Sequence, residues 1–308
     1  MSSSERAITP GVVGTGLLIT LLGRCDFPPS GTEVACAVSG GADSMALLAF
    51  AVAAGLSVTA IHVDHGLRPE SSAEAARVAD VSQRLGAAFT SRQVTIVPGP
   101  NLEARARQAR YEVLPDGVLT GHTADDQAET VLLNLLRGAG LDGLAGMGRA
   151  APRIRRPLIG LRRDETRALC REMGLRPVED KSNDDRRFLR NRIRHELLPR
   201  LADIAGRDPV PILVRQAELL GDEARLLDEL AGHIDPTDAR SLAGADPALA
   251  RRAVRGWLRG TSGTEKHPPS AAEVERVLEV ARGHIIACEL TGGRRVRRSR
   301  GRLLLQSG

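Results

Sequence analysis

Between residues 33 and 121 four short β-rich runs alternate with three longer helical segments, and this alternation narrows the fold more than any other property of the chain. The runs are EVACAV (33–38), SVTAIHV (57–63), AFTSRQVTIV (88–97) and GVLTG (117–121), and helices are predicted over 43–54, 71–85 and 101–113. Strands separated by helices of this length connect through right-handed crossovers, which gives a parallel sheet with helices on both faces. Ligands of such sheets bind beyond the carboxyl ends of the strands. Polar clusters fall at three of these ends: SGGADS after the first strand, HVDHGLR at the second and GHTADDQ after the fourth.

SGGADS is built for an anion. Gly40 and Gly41 lack a Cβ, so the backbone can turn tightly and bring its N–H groups against a ligand. Ser39 and Ser44 add hydroxyls, and the helix starting near Asp43 directs its positive end into the same space. A polyphosphate fits, and so does a carboxylate. Asp43 would repel phosphate unless a cation lay between them, which argues for Mg²⁺ held mostly through phosphate and water. The loop is not the GxxxxGK[ST] type, because it is shorter and has no lysine.

GHTADDQAET supplies the facing chemistry. Thr123 suits a helix cap, and Asp125 and Asp126 suit the first turn that follows. Capping does not account for Glu129, which follows Asp126 on the same helix face, or for His122 at the strand end. Two carboxylates on one face near a phosphate loop can place a metal or take a proton from an amine. In NLEARARQARY (101–111), Glu103 and Arg107 form an i,i+4 pair, and Arg107 shares a face with Arg110 suited to gripping phosphates. Further on, RRFLRNRIRHELLPRL reads as one amphipathic helix with an aliphatic stripe of Leu189, Ile193 and Leu197. A second stripe carries Arg186, Arg190 and Arg194.

SGGADS resembles the SGGxDS loop of the PP-loop ATP pyrophosphatases. SGGADS, HVDHGLRPES, NLEARARQARY, GHTADDQAETVLLNLLRG, RRPL and VEDKSNDDRRFLRNRIRHELLP, taken in order, resemble the segments of the tRNA(Ile)-lysidine synthetase family over residues 38–199. Thr123 departs from that pattern, standing where many relatives carry a second histidine. The resemblance implies a Rossmann-like α/β nucleotide-binding domain with a parallel sheet (1–205), ending in a basic linker helix. A smaller, mainly helical C-terminal domain (206–308) would contact tRNA. It implies that ATP adenylates the wobble cytidine of the CAU-anticodon tRNA(Ile), releasing pyrophosphate, and that free L-lysine displaces AMP to give lysidine. The ATP set it implies is Ser39, Gly40, Gly41, Ala42, Asp43, Ser44, His62, Asp64 and His122. Asp43, Arg107, Asp126 and Glu129 are the expected catalytic residues, Asp43 and Asp126 the expected Mg²⁺ ligands, and Arg186, Arg190 and Arg194 the expected tRNA contacts.

Composition agrees with a nucleic-acid partner. Residues 186–308 carry 23 basic and 16 acidic side chains, so the net charge of +5 resides in the C-terminal part. Only Lys181 and Lys266 are lysines, which a GC-rich genome would also produce. The four cysteines form no CxxC pair and are expected to be reduced and buried. That spacing opposes the alternative of a PP-loop tRNA thiolation enzyme, and the intact acids oppose a non-catalytic RNA-binding relative. No stretch is apolar enough for a membrane span and the N-terminus lacks a signal-peptide pattern, so a cytoplasmic location is expected. The sequence leaves a homodimer open.

Overall fold

The computed structural model describes residues 16–64, 71–94, 102–178, 185–260 and 269–306. The chain divides into two compact units, Met1–Glu218 and Leu219–Gly308, against the expected boundary at 205/206. The division falls inside a helix, because one continuous 22-residue element runs across it.

The first unit opens with α1 (Gly16–Leu22) and then alternates β1 (Glu33–Ala37), α2 (Ala42–Ala53), β2 (Ser57–Asp64), α3 (Ser71–Leu85), β3 (Ala88–Gln93), α4 (Leu102–Val113) and β4 (Val118–Leu119). Next come α5 (Ala124–Leu136), α6 (Leu141–Leu144), β5 (Ala150–Ala151), β6 (Ile154–Arg155) and α7 (Arg163–Glu172). The sheet order is β3-β2-β1-β4-β6-β5, parallel apart from the β5 edge. Successive strands move outward from β1 to β3, and the chain then returns to β4 on the other side of β1, pairing Cys36 with Leu119. The order therefore reverses between β1 and β4, the position where open α/β sheets bind ligands.

Period-two alternation explains the two faces of the sheet. Cys36, Val58 and Ala60 point into the core that holds α2, whereas Ala35, Ala37, Ile61 and Val63 point to the opposite face with Tyr111 and Leu114. Helix α2 is apolar all round, with Met45 through Ala51 entirely buried, as befits a helix enclosed on every side. The SGGADS loop is thus mounted on a helix whose middle is sealed from water.

The end of β4 approaches the start of α2 closely. A Cβ built on Gly121 would lie 2.7 Å from the Asp43 carbonyl oxygen, a contact with backbone that no rotamer change relieves. Gly121→Ala should therefore cost about 1–3 kcal/mol of unfolding free energy in urea titration. An unchanged midpoint would show that the two loops are not in contact.

The predicted single helix over 186–201 is replaced by α8 (Leu189–Arg192), a π-helical turn (Ile193–Leu197) and α9 (Leu198–Ala205). Pro199 has no N–H to continue the ladder, and its ring crowds the carbonyl four residues back. The chain responds by widening, with the Leu198 N–H bonding the Ile193 carbonyl five residues earlier.

The second unit follows from within α10 (Val210–Ala231) through α11 (Ala239–Gly244), α12 (Pro247–Gly260) and α13 (Ala271–Arg282) to an antiparallel sheet β7-β8-β9. Its strands are β7 (Ala287–Glu289), β8 (Arg295–Ser299) and β9 (Arg302–Gln306), and its core includes Val254, Leu258, Val277, Leu278 and Val296. The basic tail forms the last hairpin, turning at Arg300 and Gly301, both at positive φ. No helix among the described residues is long and apolar enough to cross a membrane. All four cysteines are free and buried.

Candidate active site

The phosphate loop has the geometry its sequence demands. Gly40 adopts φ +92°, a conformation that favours glycine, and Gly41 precedes α2 without any side-chain cap. The first amides of α2 thus have no side-chain acceptor at the cap, an arrangement that suits an anion. The Ser44 hydroxyl donates to the Gly41 carbonyl at 2.8 Å, and the Ser39 and Ser44 hydroxyls lie 3.3 Å apart. Ala42 opens the helix and Asp43 lies in its first turn. From the far side, the Val178 N–H donates to the Gly40 carbonyl at 2.9 Å, fixing the turn.

Asp43, Asp126 and Glu129 converge, as their positions after β1 and β4 imply. They meet at a residue that sequence reasoning passed over. The Arg163 guanidinium lies 3.5 Å from Asp43 through Nε, 3.0 Å from Asp126 through Nη2 and 3.1 Å from Glu129 through Nη1. Arg190 bonds Asp126 at 3.0 Å and Glu129 at 2.7 Å, and Arg194 bonds Glu129 at 2.7 and 3.1 Å. Three carboxylates thus balance three guanidiniums. The Thr166 hydroxyl also donates to Asp43.

Glu129 and Asp126, expected as catalytic residues and Asp126 also as a Mg²⁺ ligand, are both engaged by arginines. Glu129 is fully buried, and its two oxygens accept four guanidinium hydrogen bonds, which fills the acceptor sites of a carboxylate. Asp126 accepts from the Thr123 N–H at 2.9 Å and hydroxyl at 3.0 Å through Oδ2, and from Arg163 and Arg190 through Oδ1. Thr123 and Asp126 form a capping box at the start of α5, and the Thr123 hydroxyl also reaches the acid. Burial opposes ionisation of Asp126, but Arg163, Arg190 and His122 outweigh it and hold the carboxyl near 2. So strong an acid is a poor proton acceptor, and it has two cations at hydrogen-bond distance.

Asp43 behaves differently. Burial and the nearby Asp126 charge raise it to about 6, against the lowering pull of Thr166, Arg163 and Arg167. A quarter of its side chain remains exposed. It is the carboxylate of the three that keeps access to a ligand in the loop.

The arginine stripe also departs from expectation. Arg190 and Arg194 turn inward because Glu129 draws them, leaving 28% and 21% of their side chains exposed, whereas Arg186 is 73% exposed beside Glu196 at 3.7 Å. Only Arg186 of the three has the exposure of a phosphate contact. His62 is 2% exposed, with Nδ1 donating to the Val38 carbonyl at 3.0 Å, so it locks β2 to the end of β1. Asp64 ends β2, its carbonyl accepting from the Val94 N–H at 2.8 Å. His122 Nδ1 is 2.8 Å from the Thr120 hydroxyl. Arg107 falls in α4, but its side chain lies outside the described residues.

The segment LRRDET carried a signal for Arg163. Two guanidiniums at the start of a helix oppose the macrodipole, so their presence needs a partner elsewhere. Arg162 has one: its Nε and Nη2 bond both oxygens of Asp125 at 3.1 Å, and its Nη1 bonds Asp208. Asp125, expected only to favour the helix start, also accepts from the Arg163 N–H at 2.8 Å.

Comparison with known proteins agrees with this geometry. A PP-loop domain family matches residues 22–201 and a TilS substrate binding domain matches 238–304. A tRNA(Ile)-lysidine synthase of Nocardia farcinica is 40% identical over 298 residues, 91% of this chain and 93% of that protein. The enzyme of the same name from Rhodococcus erythropolis is 44% identical over 239 residues, 73% of this chain and 74% of that protein. Among solved structures, a U34-tRNA thiolase of Methanococcus maripaludis shares the fold with a TM-score of 0.55 at 17% identity, covering 67% of this chain and 78% of that one. With a phosphate loop at the reversal of a parallel sheet, a PP-loop match over more than half its length and relatives at this identity, the chain belongs to the tRNA(Ile)-lysidine synthase family.

Proposed function

We propose that the protein uses ATP to join free L-lysine to the wobble cytidine of the CAU-anticodon tRNA(Ile), through an adenylated cytidine. The observation that carries this reading is the meeting of an uncapped phosphate loop with a carboxylate near neutrality, Asp43, at one end of a charge-balanced cluster. Oxygen leaves poorly from a pyrimidine carbonyl, and adenylation supplies the better leaving group. The residues of the chain have three tasks. The amides after Gly41, with Ser39 and Ser44, receive the phosphates. Asp43 would face a Mg²⁺ accompanying them, a quarter of its side chain being open to a cation held mainly by phosphate and water. Arg163 lies between Asp43 and the two deeper acids, where it can turn from carboxylate to phosphate as charge develops.

The incoming amine has a pKa of about 10.4 in water and must lose a proton before it attacks. Asp126, whose carboxyl is held near 2, is poorly matched to accept that proton. Exposed arginines, Arg186 in the first unit and Arg297 of β8 in the second, are the proposed phosphate contacts to tRNA.

A thiolation reading is disfavoured by the cysteines. Burial pushes Cys36 up to about 12, and burial with the nearby Asp43 charge does the same for Cys170, so neither supplies a thiolate at neutral pH. Incubation with labelled lysine, ATP and the CAU-anticodon tRNA(Ile) tests the proposal. Label on the tRNA, dependent on ATP, is expected. Pyrophosphate release without transfer of lysine would overturn it.

A further inference from the structure

Helix α7 meets the first turn of α2 through three positions on one of its faces. Arg163, Thr166 and Cys170 stand at i, i+3 and i+7, and each reaches that turn. Arg163 Nε lies 3.5 Å from Asp43 Oδ2, the Thr166 hydroxyl donates to Asp43 Oδ1, and the Cys170 thiol lies 3.4 Å from the Ala42 carbonyl. Thr166 is the residue of this row that packing does not explain. The buried positions of α7 are Thr166, Leu169 and Cys170, none more than 1% exposed. A valine of the same branched shape would fill the position with no hydroxyl to satisfy. We propose that Thr166 is a positioning residue for adenylation, its hydroxyl holding Oδ1 of Asp43 and thereby committing Oδ2 to the ligand of the SGGADS loop. The inference rests on the reading above in which Asp43 serves ATP.

Donor and acceptor capacity singles out this bond. A threonine hydroxyl has one proton. Two acceptors are within its reach, Asp43 Oδ1 and the Arg163 carbonyl at 2.8 Å, and a carboxylate forms the stronger bond. The terminal torsion of an aspartate is broad and roughly two-fold, so a carboxyl with neither oxygen held offers either one. With Oδ1 held, Oδ2 is the oxygen left over, and it makes no hydrogen bond among the described residues. Arg163 does not fix the carboxyl by itself, because 3.5 Å is beyond a good hydrogen bond. The hydroxyl is steady in turn, since Leu169 and Cys170 anchor α7 in the core that also holds α2.

Packing and positioning predict opposite rankings of two substitutions. Thr166→Val keeps the branched shape and removes the hydroxyl, whereas Thr166→Ser keeps the hydroxyl and removes the methyl. Positioning predicts that Thr166→Val lowers the maximal rate of tRNA-dependent ATP/pyrophosphate exchange about 10-fold or more, with the KM for ATP within about 2-fold of wild type. Thr166→Ser should stay within about 3-fold of wild type on both measures. Thr166→Val should cost nothing further in an Asp43→Asn background, because the two substitutions remove the same interaction. High-resolution crystal structures of the ligand-free proteins read the orientation directly. The Asp43 carboxyl should hold one orientation in wild type and Thr166→Ser, and more than one in Thr166→Val.

A Thr166→Val protein that exchanges at the wild-type rate would overturn the proposal. So would a Thr166→Ser protein slower than Thr166→Val, which gives the residue a packing role, or a loss confined to KM, which gives it a role in nucleotide binding. If Thr166→Val does not fold, Thr166→Ala compared with Thr166→Ser isolates the same hydroxyl, and the gap of about 10-fold is expected between those two. An Asp43→Asn protein that exchanges normally refutes the role of Asp43 instead, so the two failures are distinguishable.

Discussion

Asp43→Asn is expected to abolish ATP/pyrophosphate exchange while making the ligand-free protein more stable at pH 8. The carboxyl titrates at about 6 in the folded chain, raised chiefly by burial, against about 3.9 when unfolded. Between those values the folded state binds more protons than the unfolded state, so stability falls as pH rises from about 4 to 6 and stays lower above that. A neutral amide of the same shape has no such ionisation. The upper bound on its advantage at pH 8 is about 3 kcal/mol, reduced because a quarter of the side chain is exposed, and it should vanish below about pH 4. Loss of exchange should reach at least 10²-fold, on the scale of losing a charge that positions the reacting phosphate. Urea titrations at pH 4 and 8 read the first effect, and isotope exchange reads the second. A variant that exchanges normally removes Asp43 from the chemistry. One that is equally destabilised at both pH values shows that its ionised form is not held at a cost.

Gain of stability on loss of function has a physical origin in the fold. The loop is mounted on α2, whose Met45 to Ala51 segment is sealed from water, and Asp43 is kept charged at the edge of that seal. The acid is close enough to the amides to act with a ligand, and too enclosed to be well solvated without one.

Legibility in the sequence followed the range of the interactions. The strands and helices of residues 33–121 were readable because period-two and period-3.6 patterns are local, and SGGADS and GHTADDQ could be placed because strand ends are local too. Helix α5 put Asp126 and Glu129 on one face, as the spacing requires. Their counterions were hidden: Arg163 is 34 residues from Glu129 in sequence, and Arg194 is 65. A stripe of arginines looks the same in sequence whether it faces water or buried acids, and the π turn made by Pro199 alters the stripe that a regular helix would carry. The partner of His62 is hidden in sequence for a related reason. A histidine at a strand end can face a ligand or satisfy a neighbouring carbonyl, and only the pairing of β1 with β2 decides.

Glu129→Gln separates a structural anion from a working acid. Glu129 has no exposed surface and receives Arg163, Arg190 and Arg194 together, so the amide leaves these partly buried cations short of one negative charge. Breaking a buried pair in this way costs about 3–5 kcal/mol, a large part of the stability of an ordinary domain. Pairing it with Arg194→Met should recover part of that cost, because the double variant removes one charge of each sign. The cycle should then show a coupling of about 1.5 kcal/mol or more between the two positions. Denaturant midpoints of the four proteins, with ATP/pyrophosphate exchange measured on those that fold, give the result. If Glu129→Gln stays within about 1 kcal/mol of wild type and loses only turnover, then Glu129 takes part in the reaction itself and the arginines around it are not its fixed counterions.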